Sequence, residues 1–164
     1  MTTQSADSDP ALPPYLVPHS QEAIRVLYSD DHLLIVDKPH LLLSVPGRHP
    51  LNHDSMLGRL QRFYPEANAV HRLDLDTSGL LVVPKHRIAL AELSRHFQQR
   101  RVHKVYRALV WGRVQREQGV IELPIISDWH HRPLQKVCAI TGKPSTTQYQ
   151  VLARGQHHTL LKLL

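Results

Sequence analysis

A nine-residue segment, His71 to Gly79, contains the densest group of side chains that could do chemistry. It reads HRLDLDTSG and places two carboxylates, one guanidinium and two hydroxyls before a conformationally permissive glycine. A neighbouring arginine would hold Asp74 ionised and oriented, as a nucleophile or a general base requires. The alternative is a plain turn in which Asp76, Thr77 and Ser78 cap backbone groups while Asp74 forms a surface ion pair. The residue types alone favour neither interpretation over the other.

The elements around this segment predict that it is an exposed loop. Ala69–Arg72 and Leu80–Val83 have strand-like patterns on either side of the polar residues 74–79. The segment Lys85–Arg101 predicts a helix with an apolar stripe formed by Leu90, Leu93 and Phe97. We therefore expect the polar residues to be held between ordered elements, where functional loops commonly lie.

The rest of the chain predicts an alternation of short strands with one further helix. Turn formers between two strand-like runs predict a hairpin, and Asp54 or Ser55 is predicted to cap a short helix that runs to about Phe63. The predicted strands are Ile24–Tyr28, Leu33–Val36, Val102–Trp111, Val120–Ile126 with an interruption at Pro124, and Thr146–Leu152. The aliphatic end Thr159–Leu164 predicts a terminal strand whose partners are missing, so we expect a truncated chain.

Composition favours a globular protein with a polyanionic partner. The apolar fraction is 41%, the charged fraction is 21% and the formal net charge is +6, which suits nucleic acid. A single cysteine excludes an internal disulfide and a multi-cysteine zinc site. With neither a signal peptide nor a membrane-length apolar run, a cytoplasmic protein is the simplest interpretation. We expect residues 1–20 to be a flexible tail and residues 21–164 to belong to a single domain.

The order of these residues resembles the RluA-type family of RNA pseudouridine synthases. The family pattern is HRLD, two variable residues and TSG, and residues 71–79 match it completely. The blocks LYSDDHLLIVDKP, LLSVPGR and HKVYRALVWG extend the resemblance over most of the chain after the tail. DWHHRPLQKVC and TGKPSTTQYQV resemble the dual-specificity members that act on large-subunit (23S) ribosomal RNA and on transfer RNA.

This resemblance implies an α+β fold, with a mixed, largely antiparallel sheet and flanking helices. It also implies an isomerase that needs no cofactor or metal. In the reaction the bond from ribose to the uracil nitrogen breaks, the base rotates, and the base is rejoined to the ribose through a ring carbon. Asp74 is then the catalytic carboxylate and Asp76 is structural. The carboxylate either attacks the anomeric carbon or removes a sugar proton to give a glycal, and both routes stay open.

The resemblance further assigns the RNA contacts. Tyr106 packs against a uridine flipped out of the stack, and Arg72 fills the vacated space or grips a phosphate. Thr77 and Ser78 complete the substrate-binding loop. The expected partners are stem-loops of ribosomal and transfer RNA, with no membrane, and we expect a monomer.

The resemblance also raises an alternative function. Such enzymes continue into a segment resembling GRTHQLR, whose arginine pairs with the catalytic aspartate, and this chain does not contain it. The alternative is therefore a catalytically impaired fragment that binds RNA.

Overall fold

The computed structural model of the protein describes residues 16–131 and 134–164. Residues 1–15 of the predicted tail lie outside the described residues. The chain divides into two compact units, with the boundary between Arg101 and Val102. That residues 21–164 form one domain stays a prediction. Among the described residues, no helix is long and apolar enough to cross a membrane.

The first unit contains a three-stranded antiparallel sheet in the order β1-β2-β3. Its strands are β1 (Arg25–Ser29), β2 (Leu33–Lys38) and β3 (Gly79–Pro84). The predicted hairpin of β1 and β2 is confirmed. Asp30 closes its turn, because the carboxylate accepts the backbone N–H groups of His32 and Leu33, each at 2.8 Å.

Two α-helices and one 3-10 turn (Pro50–Asn52) accompany this sheet. Helix α1 (Met56–Leu60) begins at Ser55, whose hydroxyl accepts the Gly58 N–H at 3.1 Å, as the sequence predicted. It ends three residues before the predicted limit, because the Leu60 carbonyl accepts the N–H of Phe63 and closes a tight turn. Helix α2 (Arg87–Gln98) is shorter than predicted at both ends and is capped by His86.

The core of the first unit lies between one face of the sheet and α1. It includes a residue of the HRLDLDTSG segment, Leu73, which is 9% exposed. The cluster consists of Leu34, Val36, Leu42, Met56, Leu57, Leu60, Ala67, Leu73, Leu81 and Val83. Burial of these side chains stabilises the unit by about 1.5–3 kcal/mol for each large aliphatic residue, and it fixes the backbone that leads into Asp74.

The predicted strand at Ala69–Arg72 is wrong. These residues are irregular. The His71 ring accepts the N–H of Val82 at 3.0 Å, so a side chain occupies a backbone donor of β3 that an added strand would use. The prediction of a strand at 80–83 is confirmed by β3.

The second unit is a five-stranded antiparallel sheet in the order β4-β8-β7-β5-β6. Its strands are β4 (Tyr106–Trp111), β5 (Gln118–Ser127), β6 (Gln135–Val137), β7 (Lys143–Arg154) and β8 (His158–Leu163). Together with the helices of the first unit, these antiparallel sheets confirm the predicted α+β class.

Two expectations for this sheet are wrong. The last strand does not lack partners, because β8 pairs with β4 on one side and with β7 on the other. Nor does Pro124 interrupt its strand. It lies opposite Pro144, where neither residue has an N–H to donate, and its carbonyl accepts the N–H of Cys138 at 2.9 Å.

Candidate active site

Asp74 lies on the loop between the buried Leu73 and the start of β3, with its side chain exposed. Its carbonyl accepts the N–H of Thr77 at 3.1 Å, which folds the following residues into a turn. Gly79 then enters the strand at φ 128°, a conformation that strains any other residue. The backbone of Asp74 is therefore shaped by a tight turn while its carboxylate faces solvent.

Lys38 fixes the residue that follows Asp74. Its side chain is 0% exposed, and the register of the sheet pairs Lys38 with Gly79 at the end of the loop. The ammonium donates to the carbonyls of Leu42 at 2.7 Å and Leu75 at 3.3 Å, and also to that of Pro39 at 2.9 Å. A buried charge is tolerated when polar groups surround it, and backbone carbonyls provide them here.

The carboxylates of the loop act on the charge of Lys38. Burial lowers the pKa of the Lys38 ammonium, and the negative charges of Asp76 and Asp74 partly oppose this shift. Within the described ranges, Arg72 forms no ion pair with Asp74. Asp76 and Asp74 are therefore the two carboxylates whose charge acts on the buried Lys38.

Ser44 fixes the residue that precedes Asp74. Its hydroxyl donates to the carbonyl of Leu73 at 2.7 Å and accepts the N–H of the same residue at 3.1 Å. Ser44 is 4% exposed. One buried side chain thus satisfies both backbone polar groups of Leu73.

His71 attaches the start of the segment to β3 and α2. Besides accepting the N–H of Val82, its ring stacks on Phe97 with centroids 4.6 Å apart and an interplanar angle of 23°. Phe97 belongs to the apolar stripe predicted for α2, and the stripe is only partly buried. The helix therefore supports the segment through this ring contact.

The other predicted substrate-binding residues are distributed over both units. Arg72 and Ser78 are exposed and Thr77 is partly buried, all in the first unit. Tyr106 begins β4 in the second unit, is 38% exposed and pairs with Leu163. The first unit thus brings Arg72, Thr77 and Ser78 onto one loop with Asp74, and Tyr106 is presented by a separate sheet.

Sequence reasoning missed Lys38 and Ser44. In the sequence Lys38 lies just beyond the predicted strand Leu33–Val36, and Ser44 precedes a stretch that contains proline and glycine. One signal pointed to Lys38: a lysine that continues the alternation of Leu34 and Val36 must point into the core. No comparable signal marks Ser44.

The chain is similar in sequence to known RNA-modifying proteins. The family model described as RNA pseudouridylate synthase matches residues 32–164. A relative from Vibrio vulnificus named dual-specificity RNA pseudouridine synthase RluA is 50% identical over 153 residues, which are 90% of this chain and 61% of that protein. The protein of the same name from Escherichia coli is 46% identical over 142 residues, 87% of this chain and 65% of that protein.

A solved structure is also similar. The human RNA pseudouridylate synthase domain containing 1 matches with a TM-score of 0.69 and 28% identity, over 89% of this chain and 60% of that one. This chain thus spans about three fifths of the length of the curated relatives it matches. The family model covers most of the chain, from the β1–β2 turn through the HRLDLDTSG loop to the last residue, and the chain belongs to the RNA pseudouridylate synthase family.

Proposed function

We propose that this chain carries the catalytic carboxylate, Asp74, of an enzyme that isomerises uridine to pseudouridine in stem-loops of large-subunit ribosomal RNA and transfer RNA. One observation carries the proposal: the exposed Asp74 sits on a backbone held on both sides by buried polar side chains. A catalytic group must be both accessible and fixed in place. The family membership and the names of the relatives support the substrate class.

The reaction breaks the bond between the ribose and a uracil nitrogen and forms a bond from the same sugar carbon to a ring carbon. The proton on that ring carbon leaves to the solvent and the released ring nitrogen takes up a proton, so the product is an isomer of uridine and atoms and charge balance without a cofactor. Asp74 acts either as a nucleophile at the anomeric carbon or as a base toward a sugar proton.

The target base must leave the helical stack before Asp74 can reach its sugar. In this proposal Arg72 takes the vacated space or binds a phosphate, and Tyr106 packs on the flipped base, where stacking contributes about 1–3 kcal/mol. Thr77 and Ser78 line the same loop. Asp76 has a supporting role, since its charge acts on Lys38.

The experiment is an isomerisation assay on the purified chain. Two RNA stem-loops, one from large-subunit ribosomal RNA and one from a transfer RNA anticodon arm, carry tritium on the ring carbon that forms the new bond. We expect release of tritium to water from both RNAs, with binding measured in parallel on the same molecules. A hairpin without uridine in its loop is the control.

The outcomes separate three functions. Release from both RNAs supports the proposal, and release from one alone narrows the substrate class. Binding without release would overturn the enzymatic proposal in favour of an RNA-binding chain. Absence of both would remove the RNA role altogether.

A further inference from the structure

Ser44 is placed to do more than satisfy a hydrogen bond. Its hydroxyl both donates to and accepts from Leu73, the residue immediately before Asp74. These two hydrogen bonds hold the peptide units on both sides of the Leu73 Cα atom, in orientation as well as in position. The second of these units joins Leu73 to Asp74.

The backbone of Ser44 is itself held in place. The first amides of α1 bind this loop, because the N–H of Met56 donates to Leu43 at 2.7 Å and that of Leu57 donates to Ser44 at 3.1 Å. The loop pairs with the start of α1 through a bridge between Leu43 and Ser55. Main-chain hydrogen bonds therefore hold the backbone of Ser44, and neither of them uses the Ser55 hydroxyl.

The hydrogen bonds between Ser44 and Leu73 lie on the side of the loop that faces the core. Ser44 is 4% exposed and the Leu73 side chain packs in the core, whereas Asp74 is exposed. Water cannot easily replace the hydroxyl there, so loss of the hydroxyl leaves the Leu73 backbone groups without partners. The expected response is movement of the loop.

We propose that Ser44 is a positioning residue for the reaction, which sets the orientation of Asp74 by clamping the Leu73 peptide. This inference rests on the proposed function. Because misplacement of a reacting group by about 1 Å can cost about a hundredfold in rate, loosening this peptide lowers turnover without weakening RNA binding.

The test compares Ser44→Ala with Ser55→Ala. Ser55 is 0% exposed, and its hydroxyl caps α1 rather than the loop. Both variants remove one buried hydroxyl from the first unit, so they are matched in composition and site. The readouts are amide hydrogen exchange at Leu73 and Thr77, and kcat and KM for uridine isomerisation.

We expect Ser44→Ala to speed exchange at Leu73 and Thr77 by about tenfold or more and to lower kcat by about tenfold to a hundredfold with KM unchanged. Ser55→Ala should speed exchange in α1 and leave the loop amides and kcat unchanged. Equal effects of the two variants on the loop and on kcat would overturn the proposal. So would a Ser44→Ala variant that alters only thermal stability.

A second pair covers the case in which Ser44→Ala does not fold. Ser44→Thr and Ser44→Val add the same bulk and differ only in the hydroxyl, so slower loop exchange in Ser44→Thr supports the clamp and equal exchange refutes it. Hydrogen exchange does not require activity. If the wild-type chain isomerises no uridine, the proposed function fails while exchange still decides whether Ser44 holds the loop.

Discussion

At the scale of single residues, the candidate site depends on buried polar groups whose partners are backbone atoms. Lys38 and Ser44 contact Leu75 and Leu73, the two residues on either side of Asp74. Asp74 itself was identifiable from the HRLDLDTSG pattern. Its supports were not, because a hydrogen bond between residues 29 or 37 positions apart in sequence depends on how strands and loops pack.

Replacement of Lys38 tests this support. Lys38→Met should lower the free energy of unfolding by about 1–3 kcal/mol, because the carbonyls of Pro39 and Leu42 lose a donor in a dry site. Urea unfolding measures the change. Lys104→Met, at an exposed position, is the control and should stay within about 0.5 kcal/mol of wild type.

The free energy of unfolding of the wild-type protein and of Lys38→Met should also depend differently on pH. Since burial lowers the pKa of Lys38 below its ordinary value of 10.5, the unfolded chain binds that proton more strongly than the folded chain. The stability contribution of Lys38 therefore rises as the pH climbs through the lowered pKa toward 10.5. Lys38→Met should lack this rise; an identical alkaline slope in the two proteins would contradict the assignment.

Cys138 provides a second test at this scale. Hydrogen bonds from Thr141 and the neighbouring backbone lower the pKa of its thiol from 9.0 to about 7. The rate of alkylation by iodoacetamide should therefore have its midpoint near pH 7, and Thr141→Val should move that midpoint upward. Thr146→Val, at an exposed position of β7, should leave it unchanged. A wild-type midpoint near 9 would refute this account.

At the scale of elements, local chemistry was predictable and long-range pairing was not. The Asp30 turn and the Ser55 cap each involve residues within three positions, so the sequence showed both. The error at 69–72 has the opposite origin, since the His71 ring reaches a β3 amide 11 residues away. Likewise, Pro124 stays within β5 because of its partner Pro144 on β7.

Arg59 connects α1 to the segment before β1 and forms an ion pair with Asp54. Arg59 forms a two-pronged contact with Asp54, at 2.7 and 2.6 Å, and also donates to the carbonyl of Glu22 at 2.7 Å. It also donates to the carbonyl of Ser20, within the predicted tail. The described end of that tail is thus attached to the first unit.

Acid should weaken this connection. The hydrogen bond from Arg59 lowers the pKa of Asp54 below its ordinary 3.8, so the stabilisation is complete above that value and is lost as the pH falls through the lowered pKa. Asp54→Asn should cost about 1 kcal/mol at neutral pH and nothing in strong acid, measured by urea unfolding. Asp31→Asn, in the exposed β1–β2 turn, is the control. A cost that does not diminish in acid would be the contrary result.

A glycine fixes the turn between β6 and β7. A Cβ on Gly142 would lie 2.3 Å from the Cys138 carbonyl oxygen and 2.7 Å from backbone atoms of Pro124. The three atoms nearest to a Cβ on Gly155 all belong to the His158 ring, an exposed side chain that can turn away. Gly142→Ala should therefore destabilise the protein by about 1–3 kcal/mol in thermal unfolding, and Gly155→Ala by clearly less. Equal destabilisation by the two variants would show that backbone contacts do not require a glycine at position 142.

At the scale of the whole molecule, the net charge of +6 predicted a polyanionic partner, and the proposed RNA substrate is a polyanion. The α+β class was also predictable, because the resemblance to the RluA-type family implied it and hydrophobic periodicity indicated short strands with two helices. The pairing of β8 on both sides was not, because nothing in TLLKLL shows which strands lie beside it.

If Asp74 performs the chemistry, its replacement must have a far larger effect on the reaction than replacement of Asp76. Both carboxylates are exposed and lie two positions apart on one loop, so Asp74→Asn and Asp76→Asn change charge and shape equally. The measurement is the single-turnover rate of tritium release from a labelled stem-loop RNA. We predict a loss of about a hundredfold to ten-thousandfold for Asp74→Asn, with unchanged RNA affinity, and a much smaller loss for Asp76→Asn. Similar rates for the two variants, or a larger loss at Asp76, would contradict the account.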